Sequence, residues 1–440
     1  MERPPSVATD PLAHRHGQWL RWLRLLAGFT SAQLVIQLLG FLSGILIVRY
    51  LSKPDYAWFT IANTLVATMG MLADSGISGA LSAVGGTVWQ DDARFGSLIR
   101  TALTLRRRLA FVAVLVVTPV FVWMLVKNHA PAATIAVVVP AALLALTLQL
   151  TAGVLGVVIS LRQEIRRMQF MGLAAALLRL SLLAPACLIF LDVRVAVIIG
   201  TVGMALQVWL LRRWVSKSVA WHAPESPDYR GQILAIVKRQ APLTIFYCLQ
   251  SQIIIWLISI FGNAQRVAEI GALGRFAMIF TLVYSVMNGI VVPRFARCQD
   301  RRTLRRRYWQ VATSFTLLAG TLVALSAIFP RPLLWVLGTQ YANLENEVWL
   351  MMLSAASSGL FVALVSLTYS KGWIMPAAIS IPLEIVTQLV LIVTFDISSV
   401  RGVLLVGCCG SLPLVVLNII IAHLETRNSP QTPAPSNPSS

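Results

Sequence analysis

Apolar residues run through this chain in long blocks, broken by short polar and basic segments. A helix needs about 20 apolar residues to cross hydrocarbon. Twelve blocks meet that length: 28–50, 57–86, 109–128, 133–160, 169–191, 194–211, 240–262, 270–293, 309–329, 347–370, 376–395 and 402–424. Only helices satisfy their own backbone groups in lipid over single blocks of this length, so the pattern predicts an all-α polytopic membrane protein. The blocks, taken in order as runs 1 to 12, divide six and six around 212–239, whose "HAPESPDYRG" holds two prolines. The expected organisation is an N-terminal segment 1–26, a six-helix bundle 27–211, a linker 212–239, a six-helix bundle 240–424 and a disordered Pro/Ser-rich tail 425–440. Residues 1–26 do not read as a cleavable signal, and "HRHGQWLRWLRLL" reads as an amphipathic surface helix.

Within the runs, polar and small residues recur at helical spacing. Run 1 carries Gln33, Gln37, Gly40 and Gly44, and run 2 carries Asn63, Gly70, Asp74 and Ser78. Run 7 carries Gln240, Thr244, Tyr247 and Ser251, run 8 carries Gly274, Thr281, Ser285 and Asn288, and run 11 carries Ser380, Glu384 and Gln388. Any one stripe reads as helix packing, because small and polar residues hold membrane helices together. Five on five helices predict a shared polar cavity. An offset of 214 residues superposes "DYAWF" (Asp55–Phe59) on "EIGAL" (Glu269–Leu273) and Asp74 on Asn288. This suggests two bundles related by a pseudo-twofold axis along the membrane normal.

Charge then gives orientation. The chain carries 36 Lys and Arg, of which the twelve-run reading puts 27 on one face and eight on the other, with Arg179 between them. These are called the basic and the sparse face below. Lys and Arg accumulate on the cytoplasmic side, so both termini are expected there. The net charge of +19 is dispersed in short clusters between apolar runs, which argues against a nucleic-acid partner. "RRR" (Arg106–Arg108) and "RRTLRRR" read instead as topology signals facing anionic lipid. At 57% apolar and 12% charged residues the chain is far from a soluble domain, which has about 25% charged. Five cysteines and five histidines lie apart, with no metal-ligand spacing. No phosphate-binding Gly-x4-Gly-Lys-Ser/Thr occurs.

Few ionisable groups sit inside the runs, and each has two readings. Arg49 and Arg275, near helix ends, either snorkel to the interface or meet an anion. Arg179 is too deep to snorkel easily, so it faces a cavity or pairs with Asp74 or Glu384. Asp74 either caps a helix broken at Gly70 or Gly76 or acts by its charge, and Glu384 invites the same pair of readings.

The stretch "FLSGILIVRYLSKPDYAWFTIANTLVATMGMLADSGISGAL" resembles the first two helices of polysaccharide-biosynthesis flippases, which move O-antigen or exopolysaccharide repeat units. These belong to the multidrug/oligosaccharidyl-lipid/polysaccharide exporter superfamily. The family's Arg-x-Leu turn stands here as Arg49-Tyr50-Leu51 and its acidic-x-Gly segment as Asp74-Ser75-Gly76. Its Ser-x-x-(Asp/Glu)-Tyr-Gly entry stands as Ser52 to Ala57, with Ala57 in place of the Gly. The resemblance implies a V-shaped fold with a central polar cavity in the cell inner membrane. The implied cargo is a polyprenyl-diphosphate-linked oligosaccharide moved by alternating access, with no cofactor, H⁺ or Na⁺ as candidate coupling ions, and membrane lipid and a polysaccharide polymerase as partners. Arginine suits a diphosphate through its bidentate donors. The substrate-binding candidates are therefore Arg49, Arg179 and Arg275 with Gln37, Asn63 and Asn288, and the coupling or cavity carboxylates are Asp74 and Glu384. The alternative is an ion-coupled multidrug exporter of the same superfamily. A membrane glycosyltransferase or polymerase fits less well, since the longest loop on the sparse face, 330–346, offers no histidine and few acids, so a non-enzyme is expected.

Overall fold

The computed structural model describes residues 32–428 apart from 75–76, 89, 163, 217–223, 288–290, 297, 299 and 374. The amphipathic call on 1–26 and the end of the tail lie outside the described residues. All regular structure among the described residues is helical, and the described part of each of the twelve runs is helical, with breaks in runs 2, 8 and 12. The chain is an all-α polytopic membrane fold of two six-helix halves.

In the first half, α1 spans Ala32–Tyr50, α2 Lys53–Asp74, α3 Ile77–Val88, α4 Asp92–Lys127, α5 Ala132–Leu161, α6 Ile165–Ile189 and α7 Val193–Val215. In the second, α8 spans Pro227–Phe261, α9 Ala264–Ala277, α10 Ile279–Val286, α11 Val292–Ala296, α12 Arg301–Ile328 and α13 Pro330–Leu337. A 3-10 turn over Thr339–Leu344 follows, then α14 Val348–Tyr369, α15 Ala377–Thr394, α16 Val400–Gly410 and α17 Leu412–Asn428. Run 2 is thus broken into α2 and α3, and run 8 into α9 and shorter pieces. Among the described residues ten helices are long and apolar enough to span a membrane, and α4 makes an eleventh although it bends by 44°. That bend lies just before Pro119. The ring of a helix-interior proline clashes with the carbonyl four residues back and removes one ladder bond, which accounts for it.

Several of the scarce acidic residues cap helix starts. The Asp91 carboxylate accepts from the Ala93 and Arg94 amides at 3.0 and 3.1 Å and opens α4. Asp300 accepts from the Thr303 amide at 2.9 Å and opens α12, and Asp192 caps α7. Each satisfies a donor that the first turn leaves free.

Three connections are shorter than their apolar pattern implied. The linker expected over 212–239 shrinks, because α7 runs to Val215 and α8 starts at Pro227, a residue suited to a first helical turn. The start of α8 is amphipathic rather than apolar. Ile233 and Val237 pack onto Leu211 and Val215 of the first half, so a search for apolar runs misses it. At the tail, α17 continues to Asn428, past the expected boundary at 425. The loop 330–346 is α13 and the 3-10 turn.

Three apolar cores explain how the halves meet. One is common to both: Ile47, Leu51, Tyr56 and Phe59 of the first half pack with Val267, Ile270, Leu273, Leu337 and Tyr341 of the second, toward the sparse face. Toward the basic face the start of α8 joins the core of the first half, built on Ile77, Phe95, Leu98, Leu155 and Leu211, while the rest of the second half keeps its own on Phe295, Leu304, Tyr308 and Leu367. Beyond the start of α8, the two halves share their core toward the sparse face.

That junction is sealed by specific contacts. Lys53 pairs with Glu269 at 3.2 Å, with side chains 21% and 7% exposed. The Tyr56 hydroxyl donates to the Gly271 carbonyl at 3.0 Å. Gly271 must lack a side chain, since a Cβ there would lie 2.5 Å from Thr60 Oγ1. Gln340 in the 3-10 turn donates through Nε2 to the Val48 carbonyl at 2.9 Å and the Leu51 carbonyl at 3.2 Å, closing the end of α1.

Candidate functional site

Just below this seal, two arginines, one from each half, come within range of each other's charge. Arg275 lies on α9, about 16 Å from the start of that helix at Ala264, and Arg179 lies on α6, about 15 Å from its end at Ile189. Both depths are near mid-membrane. Arg275 Nε donates to the Tyr56 hydroxyl at 3.0 Å, and its guanidinium sits 6.0 Å from the centre of that ring. It lies flat against α1 at Gly44, where a Cβ would come within 3.0 Å of Nη1. Arg179 Nε is buried with no hydrogen-bond partner.

Among the described residues neither arginine forms an ion pair. The partners expected for Arg179, Asp74 and Glu384, are engaged elsewhere. An unpaired cation at the centre of a bilayer costs at least about 2.5–3.5 kcal/mol. Two that also repel each other form a place prepared for an anion.

Asp74 stands at the break between α2 and α3, where its carboxylate accepts hydrogen bonds and forms an ion pair. Its Oδ1 accepts from the Ser78 amide at 3.2 Å and the Ser78 hydroxyl at 2.7 Å, which caps α3. The same oxygen pairs with Arg106 Nη2 at 2.8 Å. Arg106 Nη1 also reaches Ser78 Oγ at 3.4 Å, and the guanidinium lies against Gly153 of α5, where a Cβ would be 2.8 Å from Nη1. The reading of Arg106–Arg108 as a uniform surface cluster therefore needs correcting. Arg107 and Arg108 are exposed, but Arg106 is only 6% exposed. The signal was available in the spacing: Phe95, Leu98, Ala102 and Leu105 form the buried stripe of α4, and Arg106 falls on its edge.

Glu384 is fully buried on α15. Its Oε1 accepts from Gln388 Nε2 at 2.9 Å and from Gln250 Nε2 of α8, while Oε2 has no partner. Gln250 and Gln388 line a cavity of about 520 Å³ with Tyr247, Tyr369 and Ser411, inside the second half. Gly410 makes room for Gln388, whose Nε2 would lie 2.7 Å from a Cβ there. Ser380, Glu384 and Gln388 share one face, as their spacing predicted. Gln250 was missed because it lies one position before Ser251 of the expected stripe.

The remaining candidates lie apart. Arg49 is exposed at the end of α1 and stacks over Trp335 at 5.1 Å, the position of a side chain reaching for the interface. Gln37 lines an apolar cavity of about 530 Å³ between α1, α9, α10 and α12, walled by Phe41, Phe276 and Leu282. Asn63 is exposed on α2 and returns a hydrogen bond to the Phe59 carbonyl at 2.8 Å. Asn288 lies outside the described residues. The polar stripes thus yield one carboxylate cluster within each half, and the arginine pair stands between the halves outside any stripe.

The chain resembles several solved structures over nearly its whole length. It superposes on an inward-facing structure of a multidrug resistance MATE family transporter of the MOP superfamily with a TM-score of 0.66 at 12% identity, covering 92% of this chain and 100% of that one. An outward-facing structure of the same description gives 0.56, over 93% of this chain and 96% of that one at 12% identity. The inward closed conformation of the lipid II flippase MurJ gives 0.65 at 10% identity, covering 91% of this chain and 88% of that one. No family sequence model matches the chain, and neither does any curated protein sequence compared with it. At these identities the likeness is one of fold, shared by transporters with different cargo.

Proposed function

We propose that the protein is a flippase that moves a polyprenyl-diphosphate-linked oligosaccharide from the cytoplasmic to the opposite leaflet by alternating access, with its basic face in the cytoplasm. The observation that carries this reading is the pair Arg179 and Arg275, cations from opposite halves with no counter-ion among the described residues. A diphosphate supplies the missing charge and accepts planar bidentate hydrogen bonds. Its binding would draw the halves together, since each contributes one guanidinium. The sealed sparse face and the better match to the inward-facing MATE structure support a cytoplasm-accessible state.

Glu384, buried with one unpartnered oxygen, is the favoured coupling carboxylate, for H⁺ or Na⁺. Asp74 is favoured less, because Arg106 already neutralises it. An ion-coupled multidrug exporter would share the fold and could use Glu384 in the same way. It gains nothing from two unneutralised arginines, since most of its expected cargo is apolar or cationic. The cargo would pass to a polysaccharide polymerase on the far side.

The test is transport of a fluorescently tagged undecaprenyl-diphosphate oligosaccharide in proteoliposomes. Arg179→Ala is expected to abolish transport while the protein still inserts, and Arg179→Lys to restore part of it. Full transport by Arg179→Ala, or efflux of cationic dyes that the variant leaves unchanged, would overturn the flippase reading.

A further inference from the structure

A groove at the basic end of the first half plays no part in the transport reading. There α4, α5 and α7 enclose about 560 Å³, with Arg107, Arg212, Thr147 and Thr151 among the polar lining and Phe111, Val114 and Leu144 among the apolar. Helix lengths put these groups on defined levels. Arg107 lies about 30 Å along α4 from Lys127. Arg212 lies about 28 Å along α7 from Val193, and Thr151 about 28 Å along α5 from Ala132. The hydrocarbon core is about 30 Å thick, so three helices bring two guanidinium groups and a hydroxyl to the level where headgroups begin. Phe111, Val114 and Leu144 lie about 6–12 Å nearer the membrane centre, at acyl-chain depth.

The chemistry of the walls matches that division. Arg107 and Arg212 are exposed, and among the described residues neither has an acidic partner. Phe111 is 70% and Leu144 54% exposed, so the apolar wall is open to the bilayer. Arg106 closes the back of the groove, its guanidinium turned to Asp74. Basic recesses between membrane helices on the cation-rich side suit anionic headgroups. A free phosphate would leave the apolar wall unused, and a zwitterionic headgroup would set its own cation against two arginines.

We propose that this groove binds an anionic phospholipid of the leaflet on the basic face. Its phosphate lies between Arg107 and Arg212, and an acyl chain runs along Phe111, Val114 and Leu144. The site shares no residue with the Arg179–Arg275 pair and stands whatever the cargo.

The test uses the full chain in vesicles containing trace photoactivatable phosphatidylglycerol, with photoactivatable phosphatidylcholine in a parallel sample. Adducts are mapped by mass spectrometry. Phosphatidylglycerol is expected to label segments 103–114 and 143–151. Each arginine near an anionic headgroup is worth about a fivefold factor in affinity, so Arg107→Ala/Arg212→Ala should lower that labelling by about 30-fold. Labelling elsewhere in the chain, including the separate recess lined by Arg294 and Arg307, should be unchanged. Inorganic phosphate at millimolar concentration should not compete. Equal labelling of the groove by phosphatidylcholine, competition by phosphate alone, or labelling that survives the double substitution would overturn the proposal.

Discussion

Replacing Asp74 by Asn separates its two roles, because the amide keeps the shape and can still accept from Ser78. Caps with Asn and Asp are about equal, so α3 should stay capped. What is lost is the countercharge to Arg106, whose side chain is 7% exposed and lies 2.8 Å from the carboxylate. Breaking one side of a buried pair costs about 3–5 kcal/mol, since the other charge is stranded. Asp74 is itself 29% exposed, so water can reach the site and the low end, about 3 kcal/mol, is expected. Arg106→Gln removes the stranded charge. The double variant Asp74→Asn/Arg106→Gln should then recover most of the loss, giving a coupling energy of about 2 kcal/mol. The assay is reversible denaturant unfolding in mixed micelles for the four members of the cycle. If the two single effects add to within about 0.5 kcal/mol, the two side chains do not act as a pair and the argument fails.

The seal at the sparse face gives three further expectations. Glu269→Gln leaves Lys53 without its partner, so a cysteine at buried Ala57, in a cysteine-free background, should react several-fold faster with an impermeant maleimide added on that side; an unchanged rate would remove the ion pair from the seal. Gly271→Ala should act in the same direction, because Thr60 is buried and cannot yield, whereas Gly274→Ala should be tolerated, its nearest neighbour being the mobile end of Met351 at 3.3 Å; equal effects of the two would contradict the packing. Reporters fused after Lys127 and Arg331 should read periplasmic and those after Asp91 and Asp300 cytoplasmic, and a cytoplasmic signal at Arg331 would invert the two faces.

The spanning helices were legible because lipid imposes a simple rule, a fixed length of apolar sequence, and among the described residues ten helices, or eleven with bent α4, obey it. The start of α8 and the whole of α13 follow a weaker rule, amphipathic burial against a neighbour that only the fold supplies, and so they read as loops. The same holds within the site. Arg179 was singled out by depth alone, a property of position along one helix, whereas Arg275 read as lying near a helix end and proves to sit about three turns into α9. Their coming within range of each other's charge, and the use of Arg106 rather than Arg179 as the partner of Asp74, depend on how α4, α6 and α9 pack. Gly44 read as part of a packing stripe, and Gly153 was not singled out at all. Their actual service is to let an arginine lie flat on a helix, which needs the partner's location before it can be seen.

The hydrogen bonds from Gln340 to the last carbonyls of α1 have an implication for water. A helix end must give its final carbonyls to some donor, and here an amide from the other half serves. When the halves part at this face, those oxygens can be satisfied only by solvent. Opening is then a wetting event, in which the first water molecules to enter replace one glutamine. Solutes excluded from the opening, by lowering water activity there, should hold the protein shut, and the population of the open form should fall with osmotic pressure even though no ligand has changed.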